Sequence, residues 1–325
     1  MGEISDNMNY KYNFSVIIPH KNIPELLRRC VSSIPRRDDT EIVIVDDNSD
    51  PDKVDFEHFP FMGEPNVKVI FDKAGLRQGH ARNIGLQHAE GKWILFADSD
   101  DFFFYSINKA LDDCLQSDAD IIYYKSTNLD SETYQYGSVR STITNTSISR
   151  YLNGDSDGEH FIRYRHPVPW GKFIRASVIR DNNICFPEII KAEDFEFSYK
   201  CGYYAKKVEA HAVSIYCLTS REGNVTARKE TAEVKNIVVK NEADFLKFAK
   251  EHELAGTPAF NIIEPDVFSI LLDLQQMDNA YYEDARKHIL DCGYTNSEID
   301  SKLKHIANGR KKAAILSNIR KLLHI

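Results

Sequence analysis

The sequence lacks paired cysteines and an excess of basic residues. Its six cysteines are scattered over 325 residues, and none belongs to a Cys-x-x-Cys pair. In a chain of this length, that distribution indicates free thiols in a reducing compartment and argues against a disulfide framework. The formal net charge is -8, whereas a general nucleic-acid-binding protein normally presents a basic surface. We therefore expect no nucleic-acid partner.

Long apolar segments and a recognisable leader are also missing. No apolar run approaches the roughly 20 residues that a membrane-spanning helix needs. Residues 1–10 are polar and acidic, and they have neither the basic nor the apolar region of a secretory signal. On these grounds we expect a cytoplasmic protein.

The first 125 residues alternate short β-rich runs with helical segments. Predicted strands are Phe14–Ile18, Glu41–Val45, Val67–Phe71, Trp93–Ala97 and Asp120–Lys125. Predicted helices are Pro24–Ser33, Gly79–Ala89 and Ser106–Gln116. Alternation of this length indicates right-handed βαβ units and a mostly parallel sheet. The strands contain few polar residues, which fits a sheet covered by helices on both faces.

Beyond residue 125 the pattern changes twice. Residues 126–160 are rich in Ser, Thr, Asn, Gly and Asp, which predicts a loop that is long for a compact domain. Ordered elements are expected again after Pro169, as a helix to Asp181, a helix over Glu193–Tyr204 and a strand over Val208–Leu218. After about residue 230 only helical patterns remain. We therefore predict two domains, residues 1–228 and 229–325.

The last 25 residues form a basic segment. Residues 301–325 contain seven Lys or Arg and no acidic residue, with Ile315, Ile319, Leu322 and Leu323 at helical spacing. A basic amphipathic helix can lie in an anionic membrane surface, which would place the protein peripherally at the inner face of the cell membrane. A helix that packs on its own domain fits the same pattern equally well.

Two clusters of aspartates follow predicted strands. Asp98, Asp100 and Asp101 come directly after one strand, and Asp46 and Asp47 end another. Carboxylates kept this close usually share a cation, and their oxygens suit Mg2+ or Mn2+, which in turn bind phosphates. Parallel strands open on one edge, so both clusters should face one crevice. The sequence has neither a Gly-x-Gly-x-x-Gly fingerprint nor a P-loop motif, which disfavours both of those nucleotide sites.

Two further segments carry charged candidates. Arg82 lies in a segment typical of a helix N-terminus, where backbone N–H groups and a guanidinium favour anions. Glu193 and Asp194 precede another helical stretch. A carboxylate there could serve as a general base or as a helix cap. Taken alone, each segment fits an ordinary surface or capping role.

Together these motifs resemble the family 2 glycosyltransferases of the GT-A fold. The resemblance rests on residues 15–22, 41–49, 81–86, 89–94, 98–101 and 193–194, in an order and spacing shared over residues 14–226. It implies an α/β fold with a Rossmann-like, mostly parallel sheet flanked by helices, followed by a C-terminal helical extension. It also implies an inverting, metal-dependent enzyme. Such an enzyme moves a sugar from a nucleotide-diphosphate donor, expected to be UDP-linked, to a hydroxyl of a glycan or lipid-linked acceptor in surface polysaccharide synthesis.

The resemblance assigns roles to individual positions. The donor residues would be Pro19, Asp47, Arg82, Asp98, Ser99 and Asp100. Asp100 would bind Mn2+ or Mg2+ most directly, and Asp98 would be a second metal ligand that faces the ribose. Asp194 matches the catalytic base. On the acceptor side it would place Trp170, Lys172 and Glu193.

Two other classes of protein share parts of this pattern. Clustered aspartates also hold Mg2+ in nucleotidyltransferases and phosphatases, although the further motifs of an aspartate-nucleophile phosphatase are not evident. A non-catalytic subunit of a polysaccharide-assembly complex could have the same fold. The sequence also departs from the family pattern, because His20 and Lys21 stand where an aromatic residue commonly precedes Asn22, and Asn224 replaces a serine.

Overall fold

A computed structural model describes residues 10–137, 141–220 and 231–322, with the side chains of the last helix described up to residue 313. The chain divides into two compact units. The first comprises Met1–Ile189 and Glu193–Ala227, and the second comprises Ile190–Ala192 and Arg228–Ile325.

The first unit is built from alternating strands and helices. Its strands are β1 (Tyr12–His20), β2 (Thr40–Asp47), β3 (Val67–Asp72), β4 (Gly91–Phe96), β5 (Phe102–Phe103), β6 (Ile121–Asp130), β7 (Lys172–Arg175) and β8 (Val208–Ser220). Its helices are α1 (Pro24–Ser32), α2 (Arg77–His88), α3 (Ile107–Cys114), α4 (Thr142–Leu152), α5 (Gly158–Tyr164), α6 (Ala176–Asp181) and α7 (Glu193–Tyr204).

The strands form one mixed sheet in the order β3-β2-β1-β4-β7-β6-β8-β5. The β3-β2-β1-β4 half is parallel, and β6 and β8 are also parallel to each other. Antiparallel pairing joins β7 to β4 and β6, and β5 to β8. The carboxyl ends of β1, β2, β4, β6 and β8 therefore open on one edge, where β7 begins. The predicted α/β fold class is confirmed.

Successive residues of the central strands point to opposite faces of the sheet, and both faces are buried. Val16 packs in one apolar cluster with Leu27 and Val31 of α1. The next residue, Ile17, packs in a second cluster with Ala81 of α2. The period of two residues along a strand explains this division. It also explains why these strands read as nearly continuous apolar runs in the sequence.

The loop predicted over residues 126–160 is wrong, because β6 continues to Asp130 and is followed by α4 and α5. The buried positions of α4 include Thr144, Ser147 and Ile148. The Ser147 hydroxyl donates to the carbonyl oxygens of Ile143 at 3.0 Å and Arg165 at 3.1 Å. Hydroxyl groups satisfied in this way can occupy a buried helix face. Two of the three buried positions of α4 are therefore polar, which makes this helix hard to recognise from apolar periodicity.

The second unit is helical. Its helices are α8 (Ala232–Glu251), α9 (Pro258–Met277), α10 (Asn279–Asp291) and α11 (Asn296–Leu322). Residues 301–322 of the basic segment belong to α11, but Ile315, Ile319, Leu322 and Leu323 lie outside the residues whose side chains are described. Within the described ranges, no helix has both the length and the apolar character that crossing a bilayer demands.

Candidate active site

The sheet brings the two carboxylate clusters to one edge. β1 ends at His20 and β2 ends at Asp47, while residues 98–101 follow β4. Since these three strands are parallel, their carboxyl ends lie side by side. Open α/β sheets bind ligands in the crevice outside such ends.

Arg82 is the centre of the charged network at this edge. Its side chain is 1% exposed and carries its Nη groups to three carboxylates. Nη2 donates to Asp98 Oδ1 at 2.7 Å, and Nη1 donates to Glu193 Oε1 at 3.0 Å and Asp194 Oδ1 at 2.6 Å. Burial disfavours the guanidinium charge, but the carboxylates outweigh it and raise the pKa of Arg82. Arg82 therefore stays charged and ties the turn after β4 to the start of α7.

Two glycines of α2 allow Arg82 to sit this deep. A Cβ on Gly85 would lie 2.3 Å from Ile17 Cγ2 of β1, and a Cβ on Gly79 would lie 2.8 Å from the Pro187 carbonyl oxygen. Both distances are well below contact, so a larger residue at either position would push the helix outward. The close approach of α2 to the sheet is what carries Arg82 under the carboxylates.

The turn after β4 is held by residues distant in sequence. The Tyr216 hydroxyl donates to Asp101 Oδ2 at 2.9 Å and accepts the Asp98 backbone N–H at 2.8 Å. Thr219 N–H donates to Asp101 Oδ1 at 2.7 Å, and the Thr219 hydroxyl donates to the Asp100 carbonyl oxygen at 2.6 Å. Arg29 of α1 donates to that same carbonyl oxygen. The backbone that presents Asp98 and Asp100 is therefore fixed from β8 and from α1.

Sequence reasoning missed Arg29, Tyr216 and Asp101 as supports of this turn. The sequence places Asp101 in one cluster with Asp98 and Asp100, but Asp101 is only 3% exposed. Burial raises the pKa of Asp101 well above the usual aspartate range, and the Asp100 and Asp98 charges add to that shift. Its role is to accept hydrogen bonds inside the protein. The one sequence signal for Tyr216 is a tyrosine near the end of the predicted strand Val208–Leu218.

The end of β2 is equally well fixed. His20 Nε2 accepts the Ile23 N–H at 3.1 Å, so Nδ1 carries the ring proton and donates to Asp46 Oδ2 at 2.8 Å. Burial opposes ionisation of Asp46, but hydrogen bonds from His20 and Ser49 outweigh it and hold its pKa below the usual range. Asp46 is thus a structural carboxylate.

Asp47 points to different partners. Its Oδ2 accepts from Lys21 Nζ at 3.0 Å, and its Oδ1 accepts from the Arg77 N–H at 3.0 Å. The Lys21 side chain is 47% exposed, whereas that of Asp47 is only 5% exposed. Pro19, the other predicted base contact, is buried within β1. At the carboxyl ends of β1 and β2, the ion pair of Lys21 and Asp47 is therefore exposed through its Lys21 side chain.

The carboxylates around Arg82 differ in exposure. The side chains of Asp98 and Asp194 are 28% and 24% exposed, whereas that of Glu193 is 1% exposed. Ser99 is buried as well, at 6% exposure. Burial raises the pKa of Asp194 well above the usual range, and the Arg82 charge opposes that shift. Asp98 and Asp194 are therefore the two carboxylates of this network that solvent reaches.

Trp170 and Lys172 lie inside the protein behind this edge. Trp170 stacks on Tyr216 with the ring centroids 5.5 Å apart. Lys172 Nζ donates to the His166 carbonyl oxygen at 3.0 Å and to Ser198 Oγ at 3.3 Å. Burial lowers the pKa of Lys172 to about 7. Both side chains are buried and support the site from within.

The charge and chemistry of the edge fit a divalent cation. The carboxylates gathered here are Asp98, Asp100, Asp101, Glu193 and Asp194, and the guanidinium of Arg82 pairs with three of them. Among the described residues, no three Asp, Glu, His or Cys ligand atoms at this edge lie within 4.8 Å of one another. An ion at this edge would therefore be held by one or two carboxylates, with water and substrate phosphates as its other ligands, as is usual for Mg2+ and Mn2+.

Two curated proteins are similar to this chain in sequence. The poly(ribitol-phosphate) beta-N-acetylglucosaminyltransferase TarS of Staphylococcus aureus is 28% identical over 222 residues, which cover 65% of this chain and 36% of that protein. The poly(ribitol-phosphate) beta-glucosyltransferase of Bacillus spizizenii is 28% identical over 223 residues, which cover 64% of this chain and 32% of that protein. This chain spans about a third of the length of these relatives.

Solved structures show the same fold. The crystal structure of S. aureus TarS 1-349 in complex with UDP-GlcNAc superposes with a TM-score of 0.56 at 20% identity, covering 91% of this chain and 92% of that one. The mannosyltransferase PcManGT from Pyrobaculum calidifontis, in complex with GDP-Man and Mn2+, superposes with a TM-score of 0.52 at 14% identity. The superposition covers 94% of this chain and 81% of that one. At these identities the likeness shows the GT-A fold.

The family assignment comes from a sequence profile that matches the first half of the chain. None of these relatives favours a nucleotidyltransferase or a non-catalytic subunit, the two alternatives that the motifs left open. The glycosyl transferase family 2 profile matches residues 15–181, about half of the chain. The chain therefore belongs to family 2 of the glycosyltransferases.

Proposed function

We propose that this glycosyltransferase moves a sugar, with inversion, from a UDP-linked donor to a hydroxyl of a glycan or lipid-linked acceptor in surface polysaccharide synthesis. The carrying observation is the buried Arg82, which joins the partly exposed Asp98 and Asp194 through its two Nη groups. This link supports the proposal, because one buried side chain would hold both a donor-side carboxylate and a candidate base. The transferred sugar would be a hexose or an N-acetylhexosamine.

The comparisons support the donor class without extending to the acceptor. TarS was crystallised in complex with UDP-GlcNAc and in complex with UDP. The names of the two curated relatives describe transfer of N-acetylglucosamine and glucose onto poly(ribitol-phosphate). Because this chain matches only part of those proteins, its acceptor is proposed at the level of a surface glycan or its lipid-linked precursor.

Different residues at this edge of the sheet would contribute to different parts of donor binding. Asp100 and Asp98 would hold Mn2+ or Mg2+, which when bound supplies a positive charge that stabilises the diphosphate leaving group. Tyr216 and Thr219 keep the backbone of this turn in place through hydrogen bonds to Asp101. Asp47 would accept hydrogen bonds from the base of the donor nucleotide, and Pro19 of the neighbouring strand β1 would contact the same base.

Asp194 would carry the acid–base step. It lies in the first turn of α7 with its carboxylate partly exposed. In that position it can accept the proton of the acceptor hydroxyl as that oxygen attacks the anomeric carbon. Burial raises the pKa of this carboxyl group and the Arg82 charge opposes that shift, which moves it in the direction that a general base needs.

Metal-dependent UDP binding is the first test. We expect calorimetric titration to show UDP binding in Mn2+ and its loss in EDTA, because the phosphates need the cation held by Asp100. The Asp100→Ala variant should lose the metal-dependent part. Asp118→Ala serves as the matched control, since Asp118 is 80% exposed and pairs with Lys207. Equal binding with and without metal, or unchanged binding in Asp100→Ala, would contradict the donor site.

Peripheral attachment through residues 301–325 is a separate part of the proposal. The segment is basic, and residues 308–313 of α11 within it are exposed. Such a helix should bind anionic bilayers and detach as salt screens the charges. We expect deletion of residues 307–325 to abolish co-sedimentation with anionic liposomes while leaving neutral liposomes unbound in both forms. Equal sedimentation of the full and truncated chains would rule this contact out.

A further inference from the structure

A cluster of three different ligand types lies in the helical unit, outside the site described above. Asp244 belongs to α8, while His288 lies in the last turn of α10 and Cys292 caps its end. His288 and Cys292 are four residues apart and so share one helix face. The candidate ligand atoms of all three residues lie within 4.8 Å of one another.

One carboxylate oxygen is the centre of this cluster. Asp244 Oδ1 lies 2.8 Å from His288 Nε2 and 3.7 Å from Cys292 Sγ. Metal–ligand bonds of about 2.0–2.3 Å in a tetrahedron place neighbouring ligand atoms about 3.3–3.8 Å apart. The oxygen and sulfur are already at that separation, and the oxygen and nitrogen need to open by about half an ångström.

We propose that Asp244, His288 and Cys292 form a binding site for a borderline-soft divalent transition-metal ion, for which Zn2+ is the best match. A thiolate, an imidazole and a carboxylate are the ligand types of Zn2+ sites, and water fills the fourth position when three come from the protein. The hard ions Mg2+ and Mn2+ prefer oxygen ligands. This site is therefore chemically distinct from the aspartates at the sheet edge.

The charges and protons of the site balance for a divalent ion. Binding displaces the proton between His288 Nε2 and Asp244 and the thiol proton of Cys292, and both pass to solvent. The thiolate and the carboxylate then contribute two negative charges, which neutralise the ion, while the imidazole binds as a neutral ligand. Cys292 is only 4% exposed, so part of the site is shielded from competing water. The bound ion would link α8 to the end of α10.

Co2+ is the probe that tests this site, because a cysteine thiolate bound to Co2+ gives a charge-transfer band that oxygen ligands cannot produce. We expect the full-length protein, kept in a non-thiol reductant, to develop this band with one equivalent of Co2+ and to lose it when Zn2+ displaces the probe. Zn2+ should also raise the melting temperature, since it binds the folded state. The band therefore reports on this site even if Co2+ also binds the active-site aspartates.

Matched variants decide the assignment. Cys292→Ser and Asp244→Asn should lose the band and the Zn2+-dependent rise in melting temperature. Cys185→Ser should keep both, because Cys185 is an exposed thiol outside the cluster. His288→Gln provides a third variant should Cys292→Ser fail to fold. Absence of a thiolate band in the wild type, or a band that survives in Cys292→Ser and disappears in Cys185→Ser, would overturn the proposal.

Discussion

Asp194→Asn is expected to abolish sugar transfer while leaving UDP binding nearly intact. An amide cannot take a proton from the acceptor hydroxyl, and a positioned general base contributes about 10²–10⁴-fold to a rate. The amide oxygen can still accept the hydrogen bond that Arg82 Nη1 gives to Asp194 Oδ1 at 2.6 Å. The fold and the donor side should therefore persist. The measurement is the transfer rate with a UDP-sugar, together with the Kd for UDP in Mn2+.

Glu196→Gln is the matched control for that variant. Glu196 lies in the same first turn of α7, but it pairs with Lys200 and not with Arg82. We expect it to retain transfer. If Asp194→Asn kept most of its transfer rate, the base would lie elsewhere. Loss of UDP binding in Asp194→Asn would instead show that Asp194 acts on the donor.

Much of this site could be predicted from the sequence because its signals are local. The strands that end at Asp47 and before Asp98 are short apolar runs broken by carboxylates, and a parallel sheet places such ends together. The contacts of Arg29 and Tyr216 join residues roughly 70 to 120 positions apart. No spacing rule connects such positions, so only the folded chain reveals them.

Burial is the second property that the sequence did not supply. Trp170 and Lys172 were predicted on the acceptor side, yet they are 4% and 2% exposed. A lysine is rarely buried, and the resemblance that assigns Lys172 to the acceptor side gives no information on its burial. Hydrogen bonds from its ammonium group to His166 and Ser198 satisfy it inside the protein. Those partners belong to an irregular segment and to α7, which no local pattern links to Lys172.

Arg82→Leu is expected to destabilise the protein by about 3–5 kcal/mol, the usual effect of removing one partner from a buried charge network. Without the guanidinium, Glu193 at 1% side-chain exposure and the neighbouring Asp98 and Asp194 would face one another as unpaired carboxylates. Arg82→Lys keeps the charge, but one ammonium group cannot reproduce the two-sided fork. We expect it to be intermediate. Urea unfolding monitored by circular dichroism measures the loss.

The pH dependence of this loss of stability shows whether Arg82 stabilises the protein through its charge or through packing. In Arg82→Leu, unpaired burial raises the folded-state pKa of these carboxyl groups above their unfolded values, so the folded state binds more protons. Its stability should then rise relative to the wild type as the pH falls from 7 towards 5. Arg28→Leu is the control, since Arg28 is 49% exposed and lies 3.6 Å from Glu25, and such pairs contribute only about 0–1 kcal/mol. A loss that does not change with pH would mean that Arg82 acts through packing, and the shared guanidinium would not be what holds Asp98 and Asp194 together.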